Sequence, residues 1–298
     1  MLKSLSSLVE IAKTKKTRRL VVAAAADEPV LQAVYQAMKE GIIEPILVGE
    51  KLAIELICKN IGFDLSGITI IDEPNASKAS VKAVEIIREG RAEILMKGLV
   101  ATGPLLKAVL NTEHGLRKGA TLSHIALFES PYYHKLIGVT DAAMNVAPEF
   151  SEKVDIINNA VEVFHKLGEK LPKVAVLAAV ETVNPKMEET VHASMLAMMN
   201  KRGQIKGCII DGPLALDNAV SSEAAEHKGI VSEVAGDADI LVTPEIVSGN
   251  VLYKSLNFLG GATAAAVIMG ARVPIVLTSR ADSEQSKMMS IALAAAME

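Results

Sequence analysis

The chain has 298 residues, of which 50% are hydrophobic but only 3% aromatic, and a formal net charge of −4. This length predicts two domains, and the acidic balance without a basic tail excludes a nucleic-acid footprint. No apolar run approaches the roughly 20 residues that a membrane helix needs. We therefore expect a cytoplasmic protein that acts on small molecules, with no nucleic-acid or membrane partner.

Cysteine and histidine usage argues against both a disulfide framework and a metal centre. Cys58 and Cys208 each lie in an apolar segment, which predicts two buried, reduced thiols. The six histidines show no metal-ligand spacing. No metal site is predicted.

The first half of the chain alternates short apolar runs with segments of helical spacing. The runs predict strands at 20–25, 45–48, 68–71 and 93–96. The helical segments are 1–16, 30–39, 52–59, 78–88 and 105–110. A strand pair is predicted at 121–128 and 136–139, and Thr140 and Asp141 follow it at once.

The alternation continues through the second half. Ser151 is the predicted N-cap of a helix, and Asn184 and Pro185 are the predicted N-cap and first residue of another. Further strands are predicted at 173–179, 207–210 and 240–243, and further helices at 222–227 and from 248 onward. This order indicates α/β layers with parallel strands and right-handed crossovers.

The last predicted strand, 274–277, leads directly into Ser279 and Arg280. Asp282 and Gln285 have the spacing of an N-cap and its N3 partner, which predicts a helix after them. Ser279 and Arg280 would then lie beyond a strand end, near the positive end of a helix, where an anion binds well. The alternatives are a salt bridge for Arg280 and a helix-capping hydroxyl for Ser279.

Other polar residues also follow predicted strands, where ligands gather in parallel sheets. They are Asp27, Lys97, Ser123, His124, Asp141, Glu181, Asp211 and Glu245. For Asp27, Glu181 and Glu245 we prefer helix capping. Nucleotide motifs are absent: no G-x-G-x-x-G follows a strand, and Pro104 stands where a P-loop would have its Lys.

Six short motifs, in this order, carry a family resemblance. They are Leu95-Met96-Lys97-Gly98-Leu99-Val100, Leu122-Ser123-His124, Thr140-Asp141-Ala142, Asp211-Gly212-Pro213-Leu214, Gly249-Asn250-Val251-Leu252-Tyr253-Lys254 and Leu277-Thr278-Ser279-Arg280. With them the chain resembles the phosphate acetyltransferase/phosphate butyryltransferase family, and most of all its butyryl branch.

The resemblance implies an α/β fold with two α/β domains around a central cleft, similar to the isocitrate/isopropylmalate dehydrogenases. The first domain would comprise residues 1–139 with 270–298, and the second residues 140–269. It also implies a homodimer or higher homo-oligomer.

The implied reaction exchanges butyryl-CoA and inorganic phosphate for butyryl phosphate and CoA, with CoA a substrate and no tightly bound cofactor. Two alternatives within this fold are a phosphate acetyltransferase and a non-catalytic domain that senses acyl-CoA or acyl phosphate. A metal- and NAD-dependent decarboxylating dehydrogenase would need an Asp cluster and a run of Arg, and the sequence has neither.

The resemblance also implies residue roles. Arg280 would bind phosphate, and Ser279 would donate to the oxyanion or to phosphate. Acetyl-type members carry an Asp base where this chain has Ser286, so either Asp282 or Glu284 replaces it, or electrostatics lower the thiol pKa. Lys97, Asn250 and Lys254 are expected ligand contacts.

Structural alternatives accompany the remaining predicted contacts. His124 is either a core histidine or a site group, and Asp141 either holds a turn or binds substrate. Asp211 is either a site residue or the start of an Asx turn. Ser123 belongs to the same expected set, and Pro213 is expected to line the acyl or pantetheine channel.

Overall fold

The computed structural model describes residues 3–119, 121–279 and 282–298 of the chain. Most of its elements lie where the sequence predicts them, but the helix Leu216–Val220 and the strand Thr263–Met269 were not predicted. In chain order they are α1 (Ser6–Lys13), β1 (Arg18–Ala23), α2 (Glu28–Lys39), β2 (Ile43–Gly49), α3 (Lys51–Ile61), β3 (Thr69–Asp72), α4 (Ala76–Arg88), β4 (Ile94–Lys97), α5 (Thr102–Val109), β5 (Ser123–Glu129), β6 (Ile137–Thr140), α6 (Phe150–Lys166), β7 (Lys173–Leu177), α7 (Glu188–Lys201), β8 (Ile209–Leu214), α8 (Leu216–Val220), α9 (Ser222–His227), β9 (Ile240–Val242), α10 (Ile246–Phe258), β10 (Thr263–Met269), β11 (Ile275–Val276) and α11 (Glu284–Met297).

The predicted α/β fold is confirmed, and the chain divides into two units. The first unit is Ser6–Ala120 with Ala265–Glu298, and the second is Met1–Leu5 with Thr121–Ala264. These boundaries differ from the expected 139/140 and 269/270. The first of them differs because β5 pairs antiparallel with β6, so both strands belong to the second unit.

In the first unit the strand order is β3-β2-β1-β4-β11-β10. Neighbours from β3 to β11 are parallel, and β10 runs antiparallel to β11. Ile275 and Val276 of β11 are fully buried, as the apolar run predicts. Because β4 lies between β1 and β11, the residues that follow these three strands share the carboxyl edge of the sheet.

In the second unit the strand order is β5-β6-β9-β7-β8. The pairs from β6 to β8 are parallel, and Ile125 of β5 lies opposite Thr140 of β6 in the antiparallel hairpin. The start of β5 therefore lies at the same edge as the end of β6. This register brings Ser123 and His124 to the edge at which Asp141 follows β6.

Two predicted helix starts are wrong. Helix α6 is capped by Glu149, whose side chain forms a capping box with Glu152, and not by Ser151. Helix α7 begins at Glu188, because the carbonyl of Asn184 accepts from the N–H of Met187 in a turn that precedes the helix.

The three acidic strand-end residues behave differently from one another. Glu245 caps α10, as predicted, by accepting from the N–H groups of Val247 and Ser248. Asp27 stands at the N-cap position of α2 without a side-chain hydrogen bond. The capping prediction is wrong for Glu181, whose Oε1 accepts from Asn218 Nδ2 and from Lys228 Nζ.

No helix within the described residues has the length and apolar character needed to cross a bilayer.

Candidate functional site

Lys97 ends β4 with its side chain turned onto the loop that follows. It is 9% exposed, and its Nζ donates to the main-chain oxygens of Gly98 and Val100, at 3.2 Å each. A Cβ on Gly98 would lie 2.2 Å from the oxygen of Ala24. Glycine is therefore required for this loop to lie against the end of β1, and the Lys97 ammonium holds it there.

Ser279 and Asp282, below called the Ser279/Asp282 pair, fix one another beyond β11. The N–H of Ser279 donates to Asp282 Oδ2 at 2.7 Å, and the N–H of Asp282 donates to the oxygen of Ser279 at 3.2 Å. Ser279 is exposed and Asp282 half-buried. Arg280, the predicted phosphate ligand, lies outside the described residues.

The cap of α11 is Ser283, so the prediction of Asp282 as its N-cap is wrong. Ser283 Oγ accepts from the N–H of Ser286 at 3.1 Å and lies 3.2 Å from Ser286 Oγ. The carboxylate of Asp282 is instead directed to Ser279. Ser286, at the position of the acetyl-type base, is buried within this cap and carries no acidic group.

A buried lysine that the sequence analysis missed lies behind the Ser279/Asp282 pair. Lys287 is 3% exposed, and its Nζ donates to the main-chain oxygens of Ser279 and Asp282. Helix α11 is buried on nearly every side, so its hydrophobic periodicity does not define a polar face. The position of Lys287 on the helix could therefore not be predicted from that pattern. The sequence did carry one signal of a special role: Lys287 is the one charged residue from 285 to 297.

In the second unit, Ser123 and His124 are both buried at the start of β5. Ser123 Oγ accepts from Asn159 Nδ2 at 2.8 Å, which ties β5 to α6. The ring of His124 meets the ring of Tyr253 edge-on, with centroids 5.8 Å apart. Ser123 is thus packed against α6, and His124 against Tyr253 of α10.

Asp141 organises the loop that follows β6. It is 3% exposed, and its Oδ1 accepts from the N–H groups of Ala143 and Met144 at 2.8 and 2.9 Å. Its Oδ2 accepts from Asn145 Nδ2 at 2.6 Å. Of the two interpretations considered from the sequence, these contacts favour the turn-holding one.

The start of α10 lies on this same loop. Asn250 Nδ2 donates to the oxygen of Ala142 at 3.1 Å. Lys254 is exposed four residues further along α10, so it shares a helix face with Asn250. The Asn250 amide and the exposed Lys254 ammonium therefore lie on one face of α10, near the carboxyl edge of β6.

Asp211 and Pro213 lie within β8, whereas an Asx turn was one of the two alternatives for Asp211. Asp211 Oδ1 accepts from the N–H of Gly212 at 2.8 Å, and Pro213 is buried. Two strands, β9 and β7, separate β8 from β6, which corresponds to roughly 14 Å across the sheet. The fold therefore does not bring Asp211 next to Asp141.

Other reactive groups are few in the described parts of the chain. Cys58 and Cys208 are free and buried, as predicted, and burial raises the pKa of each thiol to about 11. Within residues 3–119, 121–279 and 282–298, no cluster of three or more His, Cys, Asp or Glu side chains could hold a metal ion.

Comparisons with known proteins agree with the motifs. A family model described as “Phosphate acetyl/butaryl transferase” matches residues 4–80 and 73–295. The chain is 50% identical to the phosphate butyryltransferase of Clostridium acetobutylicum, over 99% of this chain and 98% of that protein. It is 47% identical to the phosphate acetyltransferase of Thermotoga maritima, over 98% of each. Among solved structures, a branched-chain phosphotransacylase from Enterococcus faecalis matches with a TM-score of 0.83 and 37% identity, over 94% of this chain and 99% of that one.

Proposed function

This chain belongs to the phosphate acetyl/butyryl transferase family, and from that premise we propose that it exchanges phosphate and CoA on a short-chain acyl group. Butyryl-CoA and inorganic phosphate give butyryl phosphate and CoA. A phosphate oxygen attacks the thioester carbonyl, the C–S bond breaks, and CoA leaves as its thiolate. The observation that carries the proposal is the match to a phosphate butyryltransferase along almost the entire length of both chains.

Ser279 and Arg280 are proposed to act on the phosphate and on the developing oxyanion. Ser279 is exposed, and its main-chain N–H donates to Asp282. This hydrogen bond fixes the backbone that carries the Ser279 hydroxyl. An oxyanion donor is worth about 3–4 kcal/mol in comparable acyl-transfer sites. Arg280 contributes a planar fork that matches two phosphate oxygens.

Asp282 is proposed to position Ser279 rather than to act as a base. Its Oδ2 already accepts the N–H of Ser279. Glu284, the other acidic candidate, is exposed in the first turn of α11. A free thiol titrates near pH 8.5, and positive charge or a helix N-terminus lowers that value, so a thiolate leaving group can be stabilised without a dedicated carboxylate.

CoA and the acyl chain are proposed to contact the other predicted residues. Lys254, exposed on α10, suits a CoA phosphate, and Asn250 shares its helix face. Lys97 suits a second anionic contact, and Pro213 a wall of the acyl channel. His124 and Asp141 are proposed to support α10 through Tyr253 and the loop after β6, Ser123 to fix the start of β5, and Asp211 to support Pro213 within β8.

Location, assembly and cofactor use are proposed from the family resemblance and the substrates. We propose a cytoplasmic protein that assembles as a homodimer or higher homo-oligomer and has no tightly bound cofactor.

The test is phosphate-dependent release of CoA thiol from butyryl-CoA, followed with a thiol reagent. Both cysteines are buried, so the protein contributes little background. Arg280→Ala should abolish most of the release, while Arg91→Ala, at an exposed arginine paired with Glu89, should not. A wild-type protein that binds CoA but releases none would favour the sensing alternative.

A second candidate, phosphate acetyltransferase, is favoured by the similarity to the Thermotoga maritima enzyme. The two are separated by comparing kcat/KM for acetyl-CoA, propionyl-CoA and butyryl-CoA. A preference for butyryl-CoA supports the first candidate, and a preference for acetyl-CoA the second.

A further inference from the structure

Lys287 is a buried cation with no carboxylate within ion-pair distance among the residues that the structure describes. The ammonium has two partners within the described residues, and both are main-chain oxygens, those of Ser279 and Asp282. No ion pair joins it to any acidic side chain in those residues, whereas the buried Lys135 pairs with both Asp237 and Asp239. A buried charge that is not directly paired with a counter-charge is costly, so its presence beside a predicted anion site needs an explanation.

The hydrogen bonds of Lys287 determine where the two oxygens point. A main-chain oxygen carries partial negative charge and repels an approaching anion. The main-chain oxygens of Ser279 and Asp282 both accept from the buried ammonium. They therefore do not point to the exposed side of Ser279, where an anion could approach. The ammonium also adds one positive charge behind the pair, in the first turn of α11, where the helix dipole has the same sign.

We propose that Lys287 is a positioning residue for the phosphate substrate. It draws the main-chain oxygens of Ser279 and Asp282 away from the anion, and its charge offsets that of the Asp282 carboxylate, so that the Ser279/Asp282 pair does not repel phosphate. This inference rests on the proposed function for the identity of the anion. It predicts that Lys287 affects phosphate much more than acyl-CoA.

The experiment compares four proteins in steady-state kinetics: wild type, Lys287→Met, Lys287→Arg and the control Lys153→Met. Lys153 is 6% exposed in α6, and its Nζ lies 3.1 Å from His192 Nδ1, so it is also a buried lysine without a carboxylate within ion-pair distance in the described residues. Loss of one charge-assisted contact corresponds to about tenfold in affinity. We expect Lys287→Met to raise KM for phosphate by about tenfold or more and to leave KM for butyryl-CoA within about twofold.

Conservative replacement separates charge from packing. Lys287→Arg should restore KM for phosphate to within about threefold of wild type, because the guanidinium keeps the charge and the donors. Lys287→Gln keeps a donor for one oxygen and loses the charge, so its KM for phosphate should resemble that of Lys287→Met. The Gln variant also replaces the Met variant in the comparison if the Met variant does not fold. The proposal would be overturned if the Met or Gln variant kept the wild-type KM for phosphate and lost kcat only in proportion to the fraction of protein that is unfolded.

A binding measurement separates this proposal from the proposed function. Inorganic phosphate alone should raise the thermal unfolding midpoint of wild type and of Lys153→Met, and should not raise that of Lys287→Met or Lys287→Gln. If wild type shows this shift but releases no CoA, the proposed function fails while the role of Lys287 stands. If wild type turns over and phosphate stabilises the neutral variants equally well, the role of Lys287 fails while the function stands.

Discussion

The Cβ that Gly249 lacks would lie 2.2 Å from the main-chain oxygen of Asp141. It would also lie 2.7 Å from Thr243 Oγ1. No real side chain tolerates such distances, so α10 can begin against the loop after β6 only with glycine at this position. The same approach lets Asn250 reach the oxygen of Ala142.

Gly249→Ala should therefore displace the start of α10. We expect a loss of about 1–3 kcal/mol in the free energy of unfolding, the usual range for overpacking, together with a raised KM for butyryl-CoA. Gly103→Ala is the matched control, because its added methyl would meet nothing within 4 Å. Equal unfolding free energies for the two variants would contradict the close approach.

Lys135 is the most buried ammonium of an ion-pair network at the starts of β6, β7 and β9. Its side chain is 2% exposed and its Nζ lies 2.6 Å from Asp239 Oδ1. Lys135→Met would leave that carboxylate, itself only 11% exposed, without its counter-charge. We expect a loss of about 3 kcal/mol in urea unfolding.

Lys173 provides the control for that change. Its Nζ lies 2.8 Å from Asp237 Oδ2, but its side chain is 31% exposed, so water can replace it. Lys173→Met should cost less than about 1 kcal/mol. A Lys135→Met protein as stable as Lys173→Met would show that the network contributes little.

The same network predicts how stability depends on pH. Burial acts to raise the pKa of Asp237, but hydrogen bonds from Lys173 and Lys135 outweigh it, and the pKa lies well below its usual range. As pH falls, the unfolded chain therefore takes up a proton before the folded one does. The stability from Asp237 is present above about pH 4 and is lost as pH falls further.

Urea unfolding measured between about pH 6 and pH 3 checks this sign. The free energy of unfolding should fall toward pH 3 in wild type and fall less in Asp237→Asn. Parallel curves for the two proteins would mean that the pKa of Asp237 is the same in the folded and unfolded states.

Much of the fold follows from local pattern, because apolar runs and helical spacing depend on few residues at a time. The strands at 94–97 and 275–276 and their parallel pairing agree with the sequence prediction. Caps were harder to predict: Glu149 is not a common N-cap residue, and the adjacent Asp282 and Ser283 are both capable caps. Only the contact between Asp282 and Ser279 decides between them.

Long-range contacts account for what the sequence could not supply. The burial of Lys287 depends on the packing of α11 against α1 and α2, which are far away in the chain. The lateral separation of Asp211 from Asp141 depends on strand order, which short motifs do not encode. The motifs therefore identified the family and most candidate residues, but not which of those residues are neighbours.

The role of Asp282 can be tested by a change that keeps its shape. Asp282→Asn retains an oxygen that can accept the N–H of Ser279 but cannot act as a base. If positioning is its function, kcat in the CoA-consuming direction should stay within about tenfold of wild type at pH 7. A loss of 10²-fold or more, the range of general-base removal, would identify Asp282 as the base for the CoA thiol.

The most direct test of the account is the initial rate of CoA release from butyryl-CoA with and without inorganic phosphate. We expect release to require phosphate, to saturate with it, and to be lost in Arg280→Ala but retained in Arg91→Ala. Release that is absent in wild type, or that proceeds equally well without phosphate, would contradict the proposed exchange of phosphate and CoA.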